Sequence, residues 1–399
     1  MRIFLNGLAA SAGAGLTYLR NVVPQLAKTR DAHTTLAVQP DLRKEFECLP
    51  QIEVFSPPNL ANAARRFWYE QRQLPSILRK CDADILLSAG NFALRRSPVP
   101  QILLSGNSLY TSGEFRRDLV TRRKYGMLLD TAIKGVVAKK SVQWAERTVA
   151  PSQAFADDLM RWTGKDVAVV HHGFDSQTFF PEESLPSPEI ENALQRSSHC
   201  LRLLFVSHYN YYRNFETLLR AVPLLQQQSP NRKIKLLLTC KLEQNSNPGA
   251  YDVSFARRLV RELGISESVE EIGPVRYDCL HHLYRACDIY LTAAYAETFA
   301  HPLVEAMASN LPIVASDLRV HREVCGDAAV YFPAFDSNKL AERILEVASS
   351  SSLRSQLAQA SARRANNFSW SQHVCKILNL AEDICRRTQP SNPRPALVA

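Results

Sequence analysis

Two carboxylates eight positions apart carry the clearest chemistry in this chain: Glu297 and Glu305, in the run Glu297-Thr298-Phe299-Ala300-His301-Pro302-Leu303-Val304-Glu305. The residues before it, Asp288 to Tyr295, are apolar and β-prone, so the pair straddles a strand-to-helix junction. Pro302 suits a first helical position, where its missing N–H is no loss. Leu303, Val304, Ala306 and Met307 favour helix, and Asn310-Leu311-Pro312 ends it. Glu297 is therefore expected in the loop and Glu305 on the first helical turn. The N–H groups of that helix end would point into the same space, where they hold a phosphate or a polarised hydroxyl. Carboxylates accept hydrogen bonds from vicinal hydroxyls. The combination fits a nucleotide sugar.

Two turns add to this. Ser11-Ala12-Gly13-Ala14-Gly15 follows the first strand, and its small residues allow a ligand to approach the backbone. Tyr18 stands at the third glycine position of G-x-G-x-x-G, so the turn is no dinucleotide fingerprint, and a plain βα turn is an equally open account of Gly13 and Gly15. The other turn is Ser207-His208-Tyr209-Asn210-Tyr211-Tyr212-Arg213-Asn214, ending in Arg213 at an expected helix start. A guanidinium there can neutralise a diphosphate; the alternative is an exposed arginine on a polar loop.

Strands and helices that would hold these residues alternate twice over. In the first half, strands are expected at 2–5, 34–38, 52–55, 84–88, 101–105, 147–150 and 167–171, with helices at 16–26 and, interrupted near Pro75, at 61–80. In the second half, strands are expected at 201–206, 233–239, 269–272, 288–291, 313–315 and 328–331, and helices at 214–227, 254–263, 337–349, 353–367 and 371–386. Such alternation means parallel sheets covered on both faces. The fold class is α/β, two Rossmann-like doubly wound domains facing a cleft, with ligands at the carboxyl ends of the strands. Expected boundaries are 1–178 and 179–368, a helix at 369–387 that returns to the first domain, and a disordered tail at 388–399. The Pro-, Glu- and Ser-rich stretch Pro181 to Ser198 reads as the linker.

At 399 residues, 46% hydrophobic and 22% charged, the chain has the size and composition of a two-domain globular protein. Nine scattered cysteines without a C-x-x-C pair argue against a disulfide framework and a structural zinc site, and for a reducing, cytoplasmic setting. No apolar run approaches the roughly 20 residues that cross a bilayer. The apolar start is too short for a signal peptide and reads as a buried strand. The net charge is +9, and Arg116 to Lys140 holds eight Lys/Arg against Asp118 and Asp130, with apolar residues at helical spacings. Such a stretch can lie on an anionic membrane surface or form the solvated face of a packed helix. It lacks the aromatic interleaving of a nucleic-acid binder, and no nucleic-acid partner is expected.

Three stretches together resemble glycosyltransferase family 4, retaining enzymes of the GT-B fold: Glu297 to Asp317, similar to the family's E-x7-E motif and following strand; Val170-His171-His172-Gly173-Phe174-Asp175 with Phe179-Phe180-Pro181; and Leu203 to Ala221. The resemblance implies a nucleoside-diphosphate sugar donor, UDP- or GDP-linked, as substrate. It also implies a glycan or lipid-linked acceptor docking on the first domain near Gly13 and Gly15, and no cofactor or metal. Glu305 matches the glutamate on the ribose, and Glu297 the one beside the transferred sugar. Phe299 and Ala300 match the backbone that contacts that sugar, and Arg213 the diphosphate cation. Ser207, His208, Asn214, His301 and Leu303 complete the implied donor site. Ser207-His208 stands where the family has Gly-Arg, Ala300 where it has glycine, and Gly106 or Asn107 where it has a donor-side histidine, which makes Asn107 a candidate catalytic group. A sugar-nucleotide epimerase of the same architecture, or a nucleotide- or carbohydrate-binding protein without transfer, is the alternative.

Overall fold

The computed structural model describes residues 1–388 apart from 11–12, 30–31, 59, 61 and 250. Two parallel sheets organise the chain. The first has seven strands, β1 (Arg2–Asn6), β2 (His33–Ala37), β3 (Ile52–Phe55), β4 (Ile85–Ala89), β5 (Gln101–Leu104), β6 (Arg147–Ala150) and β7 (Val167–Val169), in the order β3-β2-β1-β4-β5-β6-β7. The second has six, β8 (Cys200–Phe205), β9 (Lys233–Leu238), β10 (Val269–Glu271), β11 (Ile289–Thr292), β12 (Ile313–Ser316) and β13 (Ala329–Phe332), in the order β10-β9-β8-β11-β12-β13. Central strands are buried on both faces: Ile3, Phe4 and Leu5 of β1, and Ile313, Val314 and Ala315 of β12, are at most 1% exposed. That is why they read as continuous apolar runs. In both sheets the order reverses at the first strand, so each sheet opens a crevice beside β1 or β8.

The chain crosses between the halves twice, and the crossings touch. Phe174 bridges Ser369 in parallel, and Phe174 N–H donates to the Phe368 carbonyl at 3.4 Å. Gly173 allows this approach, since a Cβ there would lie 2.0 Å from the Trp370 nitrogen. Helix Trp370–Thr388 then lies on the first half, with Trp370, Val374, Ile377 and Ala381 buried beside Ile3, Leu5 and Leu19.

A second link runs the other way. Arg116 to Lys140 folds as two helices, Gly113–Thr121 and Tyr125–Trp144, with Arg123 at φ +55° between them. Phe115 and Leu119 enter the core of the second half. Arg122 pairs with Asp118 at 2.8 Å and with Glu216 of the second half at 2.9 Å, and Lys124 reaches Asp252 at 3.1 Å. Two of the eight basic residues, Arg122 and Lys124, thus fasten the halves, while Arg117 and Lys134 pair within their own helices with Glu114 and Asp130.

Several expectations need correction. Gly13 and Gly15 begin helix Gly13–Ala27 rather than forming a turn, while 11–12 lie outside the described residues. Helix Ala63–Lys80 runs unbroken through Pro75, anchored on either side by buried Leu74 and Leu78. The linker contains helix Pro188–Arg196, which buries Ile190 and Ala193. Packing supplies the energy that local propensity withheld. The tail expected to be disordered lies outside the described residues from 389 on, and Thr388 closes the last helix. All nine cysteines are free.

Gly173→Ala is expected to destabilise the fold by about 2–3 kcal/mol, because backbone rather than a flexible side chain blocks the added Cβ. Gly113→Ala, with no atom within 4 Å of the added Cβ, serves as the near-neutral control. Urea unfolding of both variants checks the contrast.

Candidate functional site

The loops after β1, β4 and β5 face those after β8, β9, β10 and β11 across a cleft of about 440 Å³. Glu297, Phe299, Ala300, His301, Glu305, Arg213, Ser207, His208, Gly13 and Gly15 all line it. The volume is that of a small-molecule site.

Glu305 sits in helix His301–Ala308, on its second turn rather than its first. Only 5% exposed, it accepts a hydrogen bond from Tyr284 Oη at 2.8 Å. Burial pushes its carboxyl up to about 7, and the Tyr284 bond opposes this only in part. A buried carboxylate with free acceptor capacity facing a cleft invites donors such as ribose hydroxyls.

Glu297 is ion-paired to Arg213, and both side chains are largely buried. Its other oxygen accepts from Thr298 N–H at 3.2 Å. Burial opposes the charge on Arg213, but the Glu297 carboxylate outweighs it and holds the guanidinium protonated. Arg213 Nε is buried without a hydrogen-bond partner among the described residues. Burial, then the Arg213 charge, lowers His208, so it rests as neutral imidazole. Ser207 is held by its N–H on Thr239 Oγ1 at 3.1 Å and by its hydroxyl on the His208 carbonyl at 2.8 Å.

Ala300 has φ +64°, the left-handed conformation that a glycine adopts freely. An L-residue there costs about 1 kcal/mol, a strain held at the cleft wall where helix His301–Ala308 begins.

Three expected residues lie outside the cleft. Asn107 caps the short turn Ser108–Tyr110, accepting from Leu109 N–H at 3.0 Å, and Gly106 lines the cleft in its place. Asn214 is buried, donating to the Ala293 carbonyl at 3.2 Å and accepting from Thr217 Oγ1 at 2.9 Å. Its left-handed φ of +56° turns the chain into the following helix. Leu303 is wholly buried, and its N–H donates to the Ala300 carbonyl at 3.0 Å. The Asn107 side chain and the Leu303 N–H close local turns, and the buried Asn214 side chain ties its turn to Ala293.

The sequence spacing did not reveal the histidine cluster at the cleft wall. His172 Nδ1 lies 3.0 Å from His301 Nε2, the two rings stacked at 4.9 Å, with Trp370 beside both. His373 donates from Nδ1 to the His171 carbonyl at 2.9 Å, so its Nε2 accepts from Tyr18 Oη at 3.0 Å. Burial brings His301 and His373 down to about 4 and His172 well below its usual value. His171-His172 was visible as part of a motif; its convergence with residues 301 and 373 depends on the crossing helix. His171 itself pairs with Glu323 at 2.8 Å. Asp82-Ala83-Asp84 has the spacing that can hold a divalent ion, but both side chains are engaged by Arg2, which lies at the start of β1, away from the cleft.

Comparison with known proteins matches these halves separately. Residues 16–178 match the model of Glycosyltransferase Family 4, and residues 187–364 that of Glycosyl transferases group 1. The chain belongs to glycosyltransferase family 4. Among curated relatives of this family-4 chain, D-inositol 3-phosphate glycosyltransferase 2 of Catenulispora acidiphila is 31% identical over 178 residues, 44% of this chain and 41% of that protein. D-inositol 3-phosphate glycosyltransferase of Corynebacterium diphtheriae is 24% identical over 65% of this chain and 61% of its own length. The match thus spans about half the length of these relatives. Sucrose-phosphate synthase of Thermosynechococcus elongatus superimposes with TM-score 0.76 at 16% identity, covering 97% of this chain and 100% of that one. Anabaena HepE, solved in complex with UDP-glucose, gives 0.70 at 16% identity, over 96% and 100%. The family-4 chain therefore has the GT-B architecture.

The raised Glu305 carboxyl sets a pH dependence. The unfolded chain releases this proton near 4.5 and the folded chain near 7. Its burial therefore lowers stability as pH rises from about 4.5 to 7. Glu305→Gln keeps an acceptor for Tyr284. It is expected to gain on the order of 2–3 kcal/mol over wild type at pH 8, and to lose that gain by pH 4.5. Chemical denaturation at the two pH values checks it.

Proposed function

We propose that the protein is a retaining glycosyltransferase that moves a hexosyl group from a UDP- or GDP-linked sugar to a hydroxyl of a glycan, lipid-linked glycan or glycolipid. The carrying observation is that buried Glu305, the Glu297–Arg213 pair and His208 border one cleft. Family membership supports the reaction, and the UDP-glucose complex of HepE supports a UDP-linked donor.

Glu305 accepts the ribose hydroxyls. Glu297 accepts hydroxyls of the transferred sugar, beside Phe299 and Ala300. The acceptor oxygen attacks the anomeric carbon on the face from which the diphosphate leaves. As that C–O bond forms, the bond to the diphosphate breaks and its electron pair stays on the phosphate oxygen, which takes the acceptor's proton. Neither carboxylate forms a covalent intermediate. Arg213 meets the charge developing on the leaving group through nitrogens that Glu297 does not occupy. An adjacent diphosphate raises the proton affinity of His208, and the helix start at Ala300-His301 adds its dipole. Fixed groups aimed at developing charge are the main catalytic term, and no metal is invoked.

The same reading includes an anionic membrane surface. On helix Tyr125–Trp144 the outward residues Tyr125, Leu129, Ile133 and Val136 are each 58–64% exposed, and Lys140 shares their face by helical periodicity. Arg116, Arg123 and Lys140 have no ion-pair partner among the described residues and complement acidic headgroups. The helix is apolar on both its core side and its outer side, where the sequence suggested a basic outer face.

UDP or GDP at 100 times its dissociation constant is expected to stabilise the protein by about 2.7 kcal/mol. Thermal melts check this, and Glu305→Ala should shrink the shift. No shift with any nucleoside diphosphate overturns the donor site. Arg213→Ala is expected to slow donor turnover by about 10²-fold or more; binding without turnover in the wild type would leave a binding protein. Leu129→Ser with Ile133→Ser, and separately Arg123→Ser with Lys140→Ser, should each reduce co-sedimentation with phosphatidylglycerol vesicles. Unchanged sedimentation rejects the membrane surface.

A further inference from the structure

A second cavity, of about 670 Å³, lies on the other side of the Tyr295–Glu297 segment from the nucleotide cleft, and Glu297 borders both. Its walls come from the same kind of place in the fold. Ser108 to Glu114 and the helix Gln153–Thr163 come from the first half, and the loops after β11, β12 and β13 from the second. The Tyr295–Glu297 segment thus divides one interdomain space into two chambers that meet at a carboxylate.

The second chamber is furnished differently from the first. Phe335 is 54% exposed at its wall and is held at φ +70°, a conformation that a bulky L-residue avoids. Its ring stacks on Tyr295 at 5.1 Å and 28°. Tyr295 is itself fixed from the first half, its hydroxyl donating to Asp118 at 2.6 Å. An apolar platform is therefore kept open to solvent at a conformational cost and braced from behind, which is how strain at binding sites arises. Trp162 supplies a second ring in the same chamber. Between its walls, Asp158 pairs with Arg161 and lies 3.8 Å from Arg319, giving alternating acceptors and donors near the surface.

A pyranose ring matches this set. Its C–H face lies on an aromatic ring, and its vicinal hydroxyls both accept from guanidinium groups and donate to a carboxylate. Resting on the donor-site assignment above, we infer that this chamber binds a sugar ring of the acceptor. The attacking hydroxyl is then presented past Glu297 to the anomeric carbon in the first chamber. The bonds made and broken are those already described. Gly13 and Gly15 remain part of the nucleotide cleft, and acceptor recognition moves to Phe335, Trp162 and the Asp158 cluster. The acceptor is thereby a glycoside rather than a hydroxyl compound lacking a sugar.

The test uses the full chain and tryptophan fluorescence. Methyl glycosides of glucose, galactose, mannose and N-acetylglucosamine are titrated with and without saturating UDP. At least one is expected to give a saturable change. Phe335→Gly, which removes the platform while suiting the left-handed backbone, should weaken that binding about tenfold. Phe335→Tyr should restore it, with the affinity for UDP unmoved in both variants. The inference is overturned if no glycoside binds saturably, or if Phe335→Gly binds as wild type does. UDP failing to bind is a separate result. It sinks the donor-site assignment, while the titration without UDP still decides whether the chamber holds a sugar.

Discussion

The segment from Tyr295 to His301 is held from both halves of the molecule, and the arrangement of the cleft follows from that constraint. Ser152 Oγ donates to the Thr298 carbonyl at 2.7 Å and Tyr295 Oη to Asp118 at 2.6 Å, both from the first half. Arg213 grips Glu297 from within the second half, and His172, on the crossing chain, holds His301. A loop at the carboxyl end of a parallel strand is ordinarily the mobile part of such a fold. Here four side chains from four elements fix it. That pre-organises a carboxylate and a helix start before any ligand arrives, and positioning of this kind is what a transfer reaction needs.

Burial then decides the charge at the cleft. Of the described residues lining it, Arg213 is the one Lys or Arg, and part of its charge already faces Glu297. The histidines around it rest neutral because desolvation disfavours their charge; neighbouring histidines add to this at His172 and Arg213 adds to it at His208, while at His301 desolvation outweighs Glu297. A diphosphate would enter a site with less standing positive charge than two cations would give, and would itself draw a proton towards His208. Strain follows a similar logic. Ala300 and Phe335 both occupy left-handed backbone at walls of the interdomain space, one where the family favours glycine and one presenting an aromatic ring.

Much of this was legible in the sequence. The apolar runs of β1, β8, β11 and β12 follow from burial on both faces, and the alternation with amphipathic helices leaves little but two parallel sheets. Glu297, Glu305 and Arg213 meet at one cleft because each lies near a strand-to-helix junction, and in this fold such junctions converge on the crevice. Asn107, Asn214 and Leu303 fall outside the cleft, and the sequence does not show this because a short polar side chain or a backbone N–H near a turn can serve a ligand or close the turn. Only coordinates distinguish the two uses. The helix at 188–196 and the unbroken helix through Pro75 escaped because core packing overrode local propensity.

By itself the sequence determined which residues are paired with which kind of local structure: strand, turn, helix start, and the two glutamates one junction apart. Those are short-range facts, set by backbone sterics and the periodicity of burial. Tertiary structure alone decided what meets across the halves. It set His172 against His301 and Trp370, Phe115 into the second core, and Glu297 between two chambers. These contacts join residues tens to hundreds of positions apart. The histidine and Trp370 contacts exist because the chain crosses between the domains at Gly173 and again at Ser369, where the absence of a Cβ on Gly173 lets one backbone lie against the other.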